Sequence, residues 1–193
     1  MKKQTVFEIF SNIPTVKTER LTLRGLHPID SEDMHDYARR AEVTRFLLWR
    51  EHPTLSYTRD YIAYVQSRYA LGDFYDWAII DRESRRMIGT CGFARIDTEN
   101  NSAEIGYVLN PDFQGRGFAT QAVRAVIEFG FTTLELHRIE ARFMEGNAAS
   151  LRVMEKLGMC FEGYRREAIF VKGSYRTVGY CGLLREDWED SKN

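Results

Sequence analysis

The chain reads as a mixed α+β protein: a mostly antiparallel sheet with one parallel pair of strands, and helices on both faces. Three observations carry that reading. Strand-like runs at 76–81, 87–97 and 103–109 follow one another across short polar connections, as in an antiparallel meander. An apolar-periodic segment at 119–134 then separates the run at 103–109 from another at 138–144, and a helical crossover between two strands of one sheet makes them parallel. Finally, "CFEGYRREAIFV" and "YRTVGYCGLL" flank "KGS" and predict a closing hairpin.

The remaining elements follow in chain order. "MKKQTVFEIFSNIPTV" opens with two lysines, but Glu8, Ser11 and Asn12 interrupt its apolar run and no small-residue cleavage site follows. It is therefore expected to be an N-terminal arm (1–17) that docks Phe7, Ile9 and Phe10 on the body, not a signal peptide. "RLTLRGL" (20–26) alternates Leu21 and Leu23 with polar residues, as a half-buried strand does. "HPIDSEDMHDYARRAE" predicts a helix capped by Asp30 or Ser31, with acids in its first turn. "TRFLLWREHP" (44–53) ends at a proline and predicts a short helix and loop. A further helix is expected from Ser56 to Leu71, with Tyr57, Tyr61, Tyr64 and Val65 near one face. "NAASLRVMEKLGM" (147–159) predicts a helix running from an asparagine cap to Gly158. No repeat or linker divides the chain, so one domain (1–193, core 18–185) is expected.

Composition narrows the function. At 193 residues the chain can bury an ordinary core without disulfides or a structural metal. Lys plus Arg (27) nearly balances Asp plus Glu (28), so no broad basic field points to nucleic acid and an anionic ligand must be held locally. Cys91, Cys160 and Cys181 are an odd count without CxxC spacing, each inside a strand-like run. They are read as buried thiols in a reducing compartment, not as a metal site. No stretch approaches membrane-spanning length, and a cytoplasmic location is expected.

One stretch asks for a ligand. In "NPDFQGRGFAT" (110–120) two glycines surround an arginine between a strand and a helix. A helix N-terminus carries unpartnered N–H groups and the positive end of the helix dipole, and glycines let a backbone approach a phosphate closely. The P-loop template fails because no lysine follows Gly117. The dinucleotide fingerprint meets Thr120 where its third glycine belongs and expects the first strand of a parallel sheet. The pattern Gln-x-x-Gly-x-Ala is met by Gln114, Gly115, Arg116, Gly117, Phe118 and Ala119.

That pattern resembles the acetyl-CoA pyrophosphate loop of the GNAT acetyltransferase superfamily. "TERLTLRGL", "AEIGYVLNPDFQGRGFATQAV", "HRIEARFMEGNAASLRVMEKLGMCFEG" and "YRREAIFVKGSYRTVGYCGLL" look, in order, like successive parts of its RimJ/RimL-like branch. The resemblance covers nearly all of 18–185. It implies a sheet splayed between its parallel strands to admit pantetheine, and direct acetyl transfer to a primary amine without an acyl-enzyme. The pyrophosphate is expected on the backbone of Gln114 to Thr120, and the thioester carbonyl against a backbone N–H near Val108. The resemblance to that branch implies that Asn147 binds the amide arm and Ser150 protonates the leaving thiolate; Met154, which cannot donate, stands where many superfamily members carry a tyrosine donor. Asn147 is equally a helix cap, and Ser150 a small residue for close packing. Glu104 is the first candidate for general base; a strand carboxylate paired with an arginine is the alternative. The tyrosines at 57, 61 and 64, with Trp49, are read as one wall of the acceptor cleft or as helix core. Asp30, Glu32, Asp33 and Asp36 suit a cationic acceptor and a helix N-terminus alike.

The acceptor stays open: a peptide N-terminus, as in ribosomal-protein acetylases, or a small-molecule amine. The chain is expected as a monomer or homodimer. A non-catalytic acetyl-CoA sensor and a nucleotide-binding protein are the rival readings.

Overall fold

The computed structural model describes residues 3–192. Its strands are β1 (Val16–Lys17), β2 (Leu21–Arg24), β3 (Tyr75–Asp81), β4 (Met87–Asp97), β5 (Ser102–Leu109), β6 (Arg138–Met144), β7 (Cys160–Val171) and β8 (Ser174–Leu184). Its helices are α1 (Lys3–Phe10), α2 (Ser31–Ala38), α3 (Ala41–Thr44), α4 (Leu55–Ala70), α5 (Phe118–Thr132), α6 (Ala148–Lys156) and α7 (Arg185–Asp190). Among the described residues the strands form one sheet in the order β1-β2-β3-β4-β5-β6-β8-β7. Every neighbouring pair is antiparallel except β5 and β6, which α5 joins as a crossover.

Alternation along each strand sends residues to two cores. Leu21, Leu23, Trp77, Ile79, Ile105 and Ile139 bury against α1, α5 and α6, where Val123, Val126, Ile127 and Phe131 repeat at helical spacing. On the opposite face Ala78, Ile80 and Val108 meet Met34 and Tyr37 of α2 and Ile62, Val65 and Tyr69 of α4. Each fully buried large side chain contributes roughly 1.5–3 kcal/mol to the fold.

The parallel pairing is short. It runs from Ser102 opposite Arg138 to Ile105 opposite Ala141 and stops there. Beyond that point β5 continues to Leu109, paired only with β4, and β6 continues to Met144, paired only with β8. The sheet therefore opens as a wedge with its vertex at Ile105 and Ala141.

Several local expectations are corrected. The arm is a helix, α1, which buries Val6 and Phe10 and packs Ile9 on the core, while Phe7 stays exposed. A 3₁₀ turn (Pro28–Asp30) capped by His27 precedes α2, and Asp30 makes no side-chain cap there. Instead its buried carboxylate accepts two 2.7 Å hydrogen bonds from Arg24 and a third from the His27 N–H. Cys91 and Cys181 are buried, but Cys160, at the first position of edge strand β7, is exposed. Of the α4 tyrosines, Tyr57 and Tyr64 face solvent and Tyr61 packs inward beside Trp49.

Candidate active site

The glycine loop lies at the mouth of the wedge. A 3₁₀ turn (Pro111–Phe113) follows β5, capped by the buried Asn110, whose Oδ1 accepts from the Asp112 N–H at 3.0 Å. Gly115 and Gly117 adopt positive φ (+74° and +80°), and Gly117 is the N-cap of α5. That conformation is strained for any residue with a Cβ. The first backbone bond of α5 runs from the Gln121 N–H to Gly117 O at 3.0 Å, so Phe118, Ala119 and Thr120 have no intrahelical acceptors. Gln114 departs from the expectation. Its N–H is taken by Pro111 O at 3.1 Å and its side chain donates to Leu109 O at 3.3 Å, so it braces the loop from below.

Two arginines distant in sequence hold this loop. Arg20 donates to Arg116 O at 3.0 Å, and its guanidinium lies 4.6 Å from the centre of the Phe118 ring. Arg40 grips Asp112 with two 2.9 Å hydrogen bonds and reaches Asp36 as well, tying the end of α2 to the turn. Arg116 itself stacks over Phe113, 5.5 Å from the ring centre. The sequence carried no signal for Arg20 or Arg40, because both contacts cross about a hundred residues of chain or more than seventy.

These pairings also settle the acids of α2. Asp30 is held by Arg24, Asp33 by Arg86 and the Met87 N–H, and Asp36 by Arg40 and the Asn110 side chain. These three brace the scaffold and are not displayed for a cationic acceptor, whereas Glu32 is exposed.

The phase of the β4–β5 ladder decides which amides face the wedge. The Asn110 N–H donates to Ile88 O at 2.8 Å. Alternation then directs Val108, opposite Thr90, and Gly106, opposite Gly92, toward β4. The Tyr107 and Leu109 amides point into the opening. The Val108 N–H, near which the thioester carbonyl is expected, thus faces β4, and the Val108 side chain packs toward α2 and α4.

On the α5 side, Asn147 caps α6, its Oδ1 accepting from the Ser150 N–H at 3.2 Å. The Ser150 hydroxyl lies 2.8 Å from the Tyr107 hydroxyl, which also donates to Ser150 O at 3.1 Å. Tyr107 stands on β5 at the wedge and was missed in the sequence, where it looked like one more apolar strand residue. Burial pushes its phenol well above the usual tyrosine range, with the Ser150 contact pulling back, so it stays protonated. Met154 is buried in the core.

On the opposite face Glu104 stands beside the vertex, but its Oε1 accepts from Arg142 Nε at 2.7 Å. Arg142 thus binds the candidate base, and Glu104 sits in the arginine-paired arrangement that was its alternative. Glu162 is likewise held, by two hydrogen bonds from Arg138 at 2.7 and 2.6 Å. His137 is exposed and its backbone joins the loop before β6 to Asn101 O. The cysteines make no pairing with a histidine: burial raises the Cys91 and Cys181 thiols, leaving neither a ready nucleophile.

A wedge between parallel strands, a left-handed glycine at a helix N-terminus beside it, and strand amides aimed into the gap define a protein that binds a long phosphorylated thioester edge-on to β5. Residues 20–160 match the model of the acetyltransferase (GNAT) domain, and the chain belongs to the GNAT acetyltransferase family. It is 37% identical over 174 residues to the uncharacterized N-acetyltransferase p20 of Bacillus licheniformis, covering 90% of this chain and 98% of that one. It is 28% identical over 193 residues to the [ribosomal protein uS5]-alanine N-acetyltransferase of Escherichia coli K12, covering 95% and 98%. A GNAT-family acetyltransferase structure from Bacillus anthracis superposes with a TM-score of 0.80 at 29% identity, covering 90% of this chain and 99% of that one. The fold is the GNAT fold, of the RimJ/RimL-like kind, and the chain is an acetyl-CoA-dependent N-acetyltransferase.

Proposed function

We propose that this enzyme acetylates a primary amine by direct attack on acetyl-CoA, with the cofactor in the wedge and the acceptor arriving from the α2–α4 face. The observation that carries this reading is the end of the parallel pairing at Ile105 and Ala141, with the glycine loop on one side of the gap and the Ser150–Tyr107 pair on its wall.

The residues present suit the cofactor. The N–H groups of Phe118, Ala119 and Thr120, with Gly115, Arg116 and Gly117 leading into them, would hold the pyrophosphate, assisted by the positive end of α5. Acetyl-CoA supplies the acetyl group as a thioester. The Tyr107 and Leu109 amides would steady the pantetheine and the carbonyl oxygen as charge develops on it. Asn147 would meet the amide arm with the part of its side chain not used in capping. Ser150, protonated and hydrogen-bonded to Tyr107, would donate the proton that the thiolate needs on leaving. Glu104 would take an amine proton through water, since one of its oxygens is committed to Arg142.

The acceptor is a primary amine; a peptide N-terminus, with its ordinary pKa near 8, demands less of a base than a lysine-like amine near 10.4. A thermal-shift titration with acetyl-CoA, CoA and NAD, followed by a thiol-release screen over peptides and polyamines, tests the proposal. Stabilisation by both CoA species and not by NAD, with thiol released on adding an amine, is the expected result. Cofactor binding with no thiol release from any amine would favour the sensor reading.

A further inference from the structure

One row across the sheet is bare of side chains where the chemistry must occur. On the α2–α4 face, Asp76 of β3 lies opposite Gly92 of β4, and Gly92 lies opposite Gly106 of β5. Gly106 is the first residue past the last parallel pair, so the row ends at the vertex of the wedge. Two consecutive glycines leave a trough along it. The trough is real space: a cavity of 170 Å³ is lined by Phe74, Asp76, Gly92, Ala94 and Gly106 among others. A Cβ at Gly92 would lie 2.1 Å from Tyr75 O, 2.4 Å from Asp76 Cα and 2.8 Å from Asp76 Oδ1, so the glycine lets β3 approach closely and the carboxylate lies beside it. A Cβ at Gly106 would meet only Ala94 Cβ, at 3.8 Å.

We propose that Asp76 receives the acceptor: its carboxylate binds the incoming ammonium in the cavity that Asp76 and Gly106 both line, and takes the proton that must leave before attack. The dimensions agree. Strands stand about 4.8 Å apart, so Asp76 and Gly106 backbones are separated by about 9.6 Å. With the carboxylate beside Gly92, an ammonium at about 2.8 Å from Oδ1 sits in the cavity between Gly92 and Gly106.

The surroundings support a proton-accepting role. Burial is the largest influence on Asp76 and pushes its carboxyl up to about 7, against smaller downward pulls from Thr90 and the Trp77 N–H. The groups facing it are Tyr61 and Tyr69 from α4, Tyr37 from α2, Thr90 from β4 and Asp73 from the preceding loop; Cys91 feels its charge from the opposite face. The Tyr37 hydroxyl in this field is buried and has no hydrogen-bond partner.

The proton balance closes. Asp76 takes one proton from the ammonium, and the free amine attacks the thioester carbon. The C–N bond forms and the C–S bond breaks. Ser150, backed by Tyr107, protonates the thiolate and is reprotonated from solvent. The second nitrogen proton leaves through Glu104 and water, and Asp76 returns its proton to solvent. The net change is one ammonium and one thioester giving one amide, one thiol and one released proton.

This inference rests on the acceptor reading above, and the two fail differently. Failure of that reading appears as wild-type enzyme that binds acetyl-CoA and releases no thiol with any amine. Failure here appears as wild-type turnover that Asp76→Asn leaves intact. With spermidine and an alanine-initiated peptide as probes, Asp76→Asn should lower kcat/KM at least a hundredfold for whichever amine is used. It should also remove the limb of the pH profile that rises through pH 7, while the acetyl-CoA Kd stays within twofold. Gly106→Ala, which the backbone accommodates, should raise the amine KM about tenfold with the acetyl-CoA Kd unchanged. A kcat/KM of Asp76→Asn within threefold of wild type with the limb retained would overturn the proposal. So would loss of that limb in Glu104→Gln but not in Asp76→Asn, or an unchanged amine KM in Gly106→Ala.

Discussion

In the proposed reaction Ser150 and Tyr107 share one role, although each looks unremarkable apart. A serine hydroxyl is a feeble acid, but one that lies 2.8 Å from the hydroxyl of a buried, protonated phenol has a proton source beside it as it gives its own proton away. Ser150→Ala should lower kcat by about a hundredfold with the acetyl-CoA Kd little changed, measured by pre-steady-state thiol release and calorimetry. Tyr107→Phe should give a smaller loss in kcat, about tenfold, because Ser150 remains; no loss would remove Tyr107 from the relay. Asp76 and His52 make opposite contributions to stability as pH changes. The raised Asp76 carboxyl favours its neutral form, so its contribution is fully present below the ordinary value of 3.8 and is lost as pH rises through about 7. Burial lowers the His52 imidazole below 6.5, so its contribution is present above 6.5 and is lost as pH falls. Asp76→Asn should therefore melt higher than wild type at pH 8 and near wild type at pH 4, as read by calorimetry.

At the scale of elements, the site depends on how α5 begins and how α2 reaches it. Gly117 combines positive φ with the point where the ligand's negative charge is expected. Gly117→Asp adds both a strained side chain and a repelling carboxylate, and should weaken acetyl-CoA binding at least a hundredfold while circular dichroism shows an intact fold; unaltered affinity would remove the loop from the site. Arg40 lies between Asp36 and Asp112, and solvent screens so exposed a pair, which leaves it little weight in the fold. Arg40→Ala should accordingly change the melting temperature little but raise the acetyl-CoA Kd several-fold, by releasing the turn that positions the loop. Arg24 differs in kind. Its partner Asp30 is 3% exposed, so Arg24→Ala leaves a buried charge unpaired and should cost roughly 3 kcal/mol in urea unfolding.

Over the whole molecule, the periodic signals were legible and the lateral ones were not. Strands β4 (Met87–Asp97) and β6 (Arg138–Met144) have the limits that alternation and flanking turns imply, and the crossover through α5 made β5 and β6 parallel without any coordinates. The glycine loop was legible too, since positive φ and helix capping leave marks in neighbouring residues. The short C-terminal helix α7 carried too little periodicity to be read. Exposure of Cys160 and Phe7 could not be told from hydrophobicity, because a cysteine at the start of an edge strand and one in a central strand look alike. Glu104 was legible as a strand carboxylate that an arginine could pair, yet its bond to Arg142 arises only when β5 lies beside β6. The order of elements, the parallel pair and the glycine turn follow from forces acting among near neighbours along the chain, and so were legible in the sequence. Only the tertiary structure decided the phase that aims Tyr107 and Leu109 into the wedge, the meeting of Tyr107 with Ser150, and the bare row from Asp76 across Gly92 to Gly106. Those depend on register between strands, which is set by packing of the whole sheet against its two layers of helices.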